Sequence, residues 1–293
     1  MRLFGSAVTA CFCNARKAFS YQLTRREEDN AAVYQALKGR TSMSTNFDAS
    51  DLVEWYWGIP IPGGGNVSIN KYLINHPSTE LTRKQTSIAS LYTAASGSGL
   101  SPRAAPFGRA KIGKATPEDF EHILGVGNDS GYFEKLKTTP QQWADSNLGV
   151  DCTGFAVAYF DALDRLAIGK GVYSGGVSCP WLLGTARKNN SSGDSDVLIW
   201  DFDDIEQDDI ILWMYASGKE SRSPGHISII YDVDSATNLL YCAESNGSAD
   251  KSAHSGPRYT ERVWGGAKGS GGGKYIELDK GAVIIVRPPT RFP

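Results

Sequence analysis

The stretch "DCTGFAVAYFDALDRL", residues 151–166, combines a helix start with a cysteine at its first position. Asp151 stands where an N-cap residue belongs, because its short side chain can accept from the free backbone N–H groups of the first turn. Large apolar side chains then recur at the spacing of one helical face: Phe155, Tyr159, Leu163 and Leu166. We therefore predict an amphipathic helix beginning at Cys152, where the positive helix end and free amides favour a thiolate and can hold an oxyanion.

A nucleophilic cysteine needs a base within hydrogen-bonding reach, usually a histidine. Four histidines compete, at positions 76, 122, 226 and 254. His226 differs from the others because "SPGHISIIYDVD", residues 223–234, places it after a Pro-Gly turn at the start of an apolar strand. A strand start can hold an imidazole in one position, so we predict His226 as the base for Cys152.

Two further strands flank the strand that His226 begins. The run "QDDIILWMY", residues 207–215, precedes it and predicts an antiparallel neighbour, and "NLLYCAESNG", residues 238–247, predicts a third strand. Side chains alternate along a strand, so Glu244 and Asn246 share one face. If that face is turned to His226, either of the two can orient the imidazole, and the sequence leaves both open.

These motifs together resemble those of the NlpC-type and CHAP cysteine peptidases and amidases, which share a papain-like fold. The match rests on "DCTGF", on "GHISIIYDV" followed by "ESNG", and on the closing "GAVIIVRPP", residues 281–289, and covers about residues 140–293. The resemblance implies an α+β domain whose nucleophilic cysteine begins a helix packed on an antiparallel sheet. It implies Cys152 as nucleophile, His226 as general base and acid, and Glu244 or Asn246 as the orienting residue.

The resemblance also leads us to expect a thiol hydrolase that cleaves an amide bond in bacterial cell-wall peptides. Two alternatives stay open at this point. A Cys-His acyltransferase of the transglutaminase-like kind uses the same residue types in the same order. A non-catalytic binding protein with a relict site is the other, since a lone cysteine in a helix is more often a packed small hydrophobe.

A boundary is indicated by "SGSGLSPRAAPFG", residues 96–108, which is dense in Gly, Pro and Ser. We expect an N-terminal region of unknown role over residues 1–110 and the hydrolase domain over residues 111–293. Near this boundary, "ATPEDFEHILGVG" predicts a helix capped by Thr116 and stopped at Gly125. Upstream, "DASDLVEWYWGIPIP", residues 48–62, fits a short helix or a strand.

The composition narrows the set of partners. The 293 residues are 41% hydrophobic with a net charge of −2, so no basic surface for nucleic acid is expected. No apolar run approaches the roughly 20 residues of a membrane-spanning helix, so we expect a soluble chain without an integral membrane segment. The expected partner is a peptide or peptidoglycan-type substrate, and residues 1–110 are a candidate binding region for a protein partner.

The cysteines give no sign of a metal or cofactor. The five are at positions 11, 13, 152, 179 and 242, without a CxxC pair, and we take Cys179 and Cys242 as core residues. The glycine run "GGAKGSGGGK", residues 265–274, fails the phosphate-loop pattern. We expect no cofactor. The compartment stays open, and export or injection without a clear signal peptide is one hypothesis.

Overall fold

The computed structural model describes residues 47–63, 65–73, 77–163, 178–191, 197–214, 225–247, 255–269, 274–279 and 281–288. The contacts within the chain divide it into residues 1–43 and 44–293, so every described residue belongs to the second unit. Two of the histidines, His76 and His254, and the cysteines Cys11 and Cys13 lie outside the described residues.

A helical region forms the first part of the described chain. Its elements are α1 Ala49–Trp57, β1 Ile59–Ile61, β2 Gly65–Val67, α2 Thr79–Gly97, α3 Ala104–Ala110, α4 Pro117–Asp129, α5 Tyr132–Lys135 and α6 Pro140–Asn147. Residues 48–62, for which the sequence allowed a short helix or a strand, contain one of each. Asp48 caps α1, and the chain then turns at Gly58 into β1, which pairs antiparallel with β2.

Helix α4 confirms the predicted start and corrects the predicted end. Thr116 is the N-cap, its hydroxyl accepts from the Asp119 N–H, and Pro117 occupies the first helical position. The predicted stop at Gly125 is wrong, because the helix continues to Asp129. Gly127 instead allows close packing: a Cβ there would overlap the ring of Phe133, so this glycine serves helix contact and not helix termination.

The second part of the chain adds two helices and a closed sheet. The elements are α7 Cys152–Ala162, α8 Cys179–Ser191, β3 Leu198–Ile199, a 3-10 turn Phe202–Asp204, β4 Ile210–Trp213, β5 His226–Asp234, β6 Leu239–Asn246, β7 Gly256–Lys268, β8 Tyr275–Leu278 and β9 Gly281–Val286. The strands are hydrogen-bonded in the order β9-β4-β5-β6-β7-β8, and β8 pairs again with β9. Six antiparallel strands therefore close into a barrel, to which β3 adds a short pairing on β9. The predicted α+β class is confirmed, as are the neighbours of β5.

Buried apolar side chains, most of them at alternate strand positions, form the core of the barrel. The buried set is Ile199, Ile205, Ile211, Ile230, Leu240, Cys242, Ile276, Leu278, Val283 and Ile285. Burial of an aliphatic side chain of this size contributes about 1.5–3 kcal/mol relative to exposure. Cys242 is thus a core residue, as predicted. Helix α7 packs on the outer face of β5 and β6, and this contact brings the Cys152 end of the helix to the strand that His226 begins.

The helices before residue 110 belong to the same compact unit as the barrel. The Trp57 indole donates to the Pro257 carbonyl at 2.9 Å, and the Tyr259 hydroxyl donates to the Glu54 carboxylate. A separate role for residues 1–110 stays a prediction, but the described part of that region is attached to β7 by these bonds. Within the described residues, no helix has the length and apolar character needed to cross a bilayer.

Candidate functional site

Cys152 is held at the first position of α7 by a rigid helix start. The Asp151 carboxylate caps the helix by accepting from the Gly154 N–H at 2.5 Å, and the Asp151 N–H donates to the Gly113 carbonyl at 3.0 Å. Gly113 has a φ of 71°, in the left-handed region that favours glycine. The buried Lys114 ammonium donates to Asp151 at 2.7 Å and also to the Thr153 hydroxyl. The cysteine therefore occupies a fixed place at the helix N-terminus.

His226 begins β5 and faces Cys152 from the sheet. Its Nε2 lies 3.0 Å from Oε2 of Glu244. Burial by itself lowers the pKa of His226, but the hydrogen bonds to Cys152 and Glu244 and their negative charges outweigh it and raise the pKa to about 9. His226 is consequently an imidazolium over the physiological pH range.

Glu244 is a fully buried carboxylate at the end of β6. Besides His226, it accepts from the Ser228 hydroxyl at 2.5 Å and from the Asn246 amide at 3.3 Å. Burial raises the pKa of Glu244, but the His226 hydrogen bond and charge, the Arg262 charge and Ser228 hold it well below its usual range. The carboxylate is therefore ionised beside the imidazolium.

Of the two residues left open for orienting His226, the structure places Glu244 on the imidazole. Asn246 lies on the same face, as the alternation predicted, but its amide donates to Oε1 of Glu244. Asn246 thus contacts the carboxylate oxygen that is not bonded to His226.

The surroundings of the Cys152 thiol favour its ionised form. A hydrogen bond from Cys179 contributes most to lowering the pKa of Cys152, burial opposes it, and His226 adds a hydrogen bond and a positive charge. The Tyr72 hydroxyl donates to Sγ at 3.7 Å. Together these groups hold the pKa of Cys152 well below its usual range. The pKa of Cys179 is raised because its thiol donates a hydrogen bond to Cys152 and is buried.

Several residues of this site were not found by sequence reasoning. Cys179 is buried, as predicted for a core cysteine, but it also adjoins the Cys152 thiol. Tyr72 carries no local signal, because only a parallel bridge between Tyr72 and Val150 brings it to the helix start. Arg258 and Arg262 were detectable: alternation along β7 puts both on one face, and Arg258 pairs in register with Glu244.

The other described histidine lies apart from this arrangement. His122 is on α4, and its Nε2 accepts from the Arg103 N–H at 2.9 Å. Burial lowers the pKa of His122, so it favours the neutral form. In the ranges that the structure describes, no group of three or more His, Cys, Asp or Glu side chains is placed to hold a metal ion.

Comparison with protein-family models, with curated proteins and with solved structures gives no match for this chain. The chemistry of the site is therefore inferred from its own side chains. They supply a thiol of lowered pKa at a helix N-terminus, and an imidazole hydrogen-bonded to a buried carboxylate. These are the parts that nucleophilic acyl chemistry requires.

Proposed function

We propose that the protein is a thiol hydrolase that cleaves an amide bond, with Cys152 as nucleophile, His226 as general acid and base, and Glu244 as the orienting residue. The observation that carries the proposal is the 3.0 Å hydrogen bond between His226 and the fully buried Glu244, beside a Cys152 thiol at a helix N-terminus whose pKa is lowered by Cys179 and His226. A buried carboxylate and imidazole cost free energy to desolvate, and a purely structural helix start needs neither.

The residues divide the reaction into two steps. In the first, the Cys152 thiolate attacks the amide carbonyl carbon, and backbone N–H groups at the start of α7 stabilise the oxyanion. The C–N bond then breaks as His226 gives its proton to the leaving amine, which leaves a thioester on Cys152. In the second, His226 takes a proton from water, the hydroxide attacks the thioester carbonyl, and the carboxylic acid leaves as the thiolate re-forms.

The proposed substrate class and fold family follow the sequence resemblance. A "DCTGF" motif beginning a helix, a "GHIS" motif beginning a strand and antiparallel neighbours around that strand support an NlpC- or CHAP-type papain-like enzyme. This family assignment makes cell-wall peptides the first substrates to test. Export or injection toward such a substrate is part of the same proposal.

The first experiment measures how fast each cysteine is alkylated by iodoacetamide between pH 4 and pH 9, with peptide mass spectrometry as readout. We expect Cys152 to react well below the pH at which an ordinary thiol ionises, near 8.5, and to lose this advantage in His226→Ala. Cys242→Ala is the matched control, since that thiol lies in the barrel core. Reaction of Cys152 only at the pH of an ordinary thiol would contradict the proposal.

The second experiment incubates the protein with cell-wall peptides and follows the products by mass spectrometry, with Cys152→Ala as the inactive control. Gain of one water across a cleaved amide bond supports hydrolysis. Incorporation of an added primary amine would identify acyl transfer instead. A biological effect that Cys152→Ala retains would indicate a binding protein with a relict site.

A further inference from the structure

Glu244 is held by two arginines as well as by His226. Arg258 donates to Oε1 through Nη2 at 3.0 Å and through Nε at 3.3 Å. Arg262 bridges both carboxylate oxygens through Nη2, at 3.1 Å to Oε1 and 3.2 Å to Oε2. Both guanidinium groups come from the same face of β7, and their side chains are only 23% and 18% exposed. One buried carboxylate therefore meets three cationic side chains.

The second arginine is itself fixed by neighbouring side chains. The Arg262 guanidinium lies over the Trp213 ring, 4.8 Å from its centroid, and the Trp213 indole donates to the Ser228 hydroxyl at 3.0 Å. Ser228 in turn donates to Glu244 at 2.5 Å, so a closed ring of contacts returns to the carboxylate. Arg262 also pairs with Asp279 at 3.3 Å. Such a ring fixes both the position and the charge of Glu244.

A buried carboxylate with only an imidazolium as partner has two weaknesses as an orienting group. It can take the imidazolium proton itself, because burial favours the neutral form of an isolated carboxylate. Alternatively, its undivided charge holds the imidazolium so tightly that release of the proton to a leaving group becomes costly. Guanidinium groups stay protonated in proteins, so they share the charge of a carboxylate without accepting or donating its proton.

We propose that Arg258 and Arg262 are positioning residues that keep Glu244 ionised and aimed at His226 while dividing its charge, so that His226 can release its proton during catalysis. The inference rests on the proposed function, in which His226 is the general acid. The arginines act through Glu244 and contact no reacting atom.

Other charged and titratable groups lie along the series from Cys152 to Arg262, and the arginine substitutions leave them all in place. They are Cys152 and Asp151 at the start of α7, Lys114 on Asp151, Cys179 at the start of α8, Tyr72 on the thiol and Asp279 on Arg262. A change of His226 ionisation in an arginine variant can therefore be assigned to the loss of the guanidinium charge at Glu244.

The test follows the imidazole of His226 by NMR in full-length protein labelled with nitrogen-15 histidine, between pH 5 and pH 10.5. Loss of one resonance in His226→Ala assigns the signal. In Arg262→Met and Arg258→Met, one positive charge near Glu244 is removed, so His226 should stay protonated to a higher pH, by about one pH unit. Arg262→Lys keeps the charge and should titrate within a few tenths of a unit of the wild type.

The control is Arg287→Met, which also removes an arginine from a buried carboxylate of the barrel. Arg287 donates to Asp209 at 3.1 Å, and Asp209 adjoins Ile230, four residues along β5 from His226. Four residues of extended strand span about 13 Å. This variant should lose stability without moving the His226 titration.

The proposal is overturned if both methionine variants fold and titrate like the wild type. If the methionine variants do not fold, Arg258→Gln and Arg262→Gln decide: each removes the positive charge but keeps an amide that can donate to Glu244, and a His226 titration equal to that of the wild type in both would overturn the proposal. Failure of the proposed function would be seen in a different experiment, as a Cys152 that is unreactive in the wild-type protein. Failure of the proposal on the arginines would be seen as an unchanged His226 titration in the arginine variants.

Discussion

His226 Nε2 lies 3.0 Å from Oε2 of Glu244, and the glutamate has no exposure to solvent. The carboxylate of this pair is ionised, because its pKa is held low by His226, Arg262 and Ser228 in spite of burial. An imidazole between such a carboxylate and a thiol is fixed in orientation and in protonation. The pair therefore decides how Cys152 is activated.

Glu244→Gln should lower the pKa of His226 and reduce hydrolysis by about 100-fold, because the imidazolium loses its ionised partner. The change also leaves Arg258 and Arg262 facing a neutral amide, at a cost of about 3–5 kcal/mol in the free energy of unfolding. Kinetics of peptide hydrolysis and denaturant unfolding measure the two effects.

Asn246→Ala is the matched variant for Glu244→Gln. It removes one hydrogen bond to Oε1 of Glu244 and none to His226, so the loss of activity should stay below about tenfold. An equal loss of hydrolysis in the two variants would show that the contact between His226 and Glu244 has no special role in catalysis.

Hydrolysis should fall above about pH 9, the pKa to which its partners raise His226. His226 is protonated in the folded protein below that pH and neutral above it, so the proton donor for the leaving amine is lost as the pH rises. The same shift contributes stability that is complete below the ordinary pKa of about 6.5 and disappears between there and pH 9. The pH dependence of kcat/KM checks the first effect and unfolding across the same range checks the second. An alkaline limit that persists at the same pH in Glu244→Gln would argue against His226 as its source.

Local patterns predicted the parts of the site that lie on single elements. A few neighbouring residues were enough to predict three features: the cap at Asp151, the start of α7 at Cys152 and the strand that His226 begins. The structure has all three. Alternation also placed Glu244 and Asn246 on one face, but choosing between them requires the actual distances around the imidazole.

The contacts that join distant segments were not predictable in the same way. Closure of the barrel depends on the pairing of β8 with β9. Tyr72 and Cys179 adjoin the Cys152 thiol although they lie 80 residues before it and 27 residues after it in the sequence. Spacing along one element contains no information about such approaches. The glycines at 113, 127 and 154 illustrate this point, because their need for close packing becomes visible only with both surfaces in place.

Cys179→Ala should raise the pKa of Cys152, because the largest contribution to its lowered value is the hydrogen bond from Cys179. Alkylation of Cys152 by iodoacetamide should then begin at higher pH than in the wild type, and Cys179→Ser, which keeps a donor, should fall between the two. Cys242→Ala serves as control, since this change removes a buried thiol from the barrel core. An unchanged Cys152 profile in Cys179→Ala would remove Cys179 from the activation of the nucleophile.

Gly154→Ala should both destabilise the protein and slow Cys152, because a Cβ at this position would overlap the Gly113 carbonyl oxygen. The obstacle is backbone and cannot rotate away, so the start of α7 must move, at a cost of about 1–3 kcal/mol in the free energy of unfolding. The same movement breaks the bond from the Asp151 N–H to the Gly113 carbonyl and displaces the thiol from His226.

Gly184→Ala separates this effect from the general effect of replacing a helical glycine. Gly184 lies on the exposed side of α8 with open space where a Cβ would stand, so alanine there should stabilise the protein by about 0.5–1 kcal/mol. Thermal unfolding and the alkylation rate of Cys152 are measured for both variants. If the close contact with Gly113 positions the nucleophile, Gly154→Ala should lower the free energy of unfolding and slow the alkylation of Cys152, whereas Gly184→Ala should raise the free energy of unfolding and leave alkylation unchanged. Equal behaviour of the two variants would refute that role for the contact.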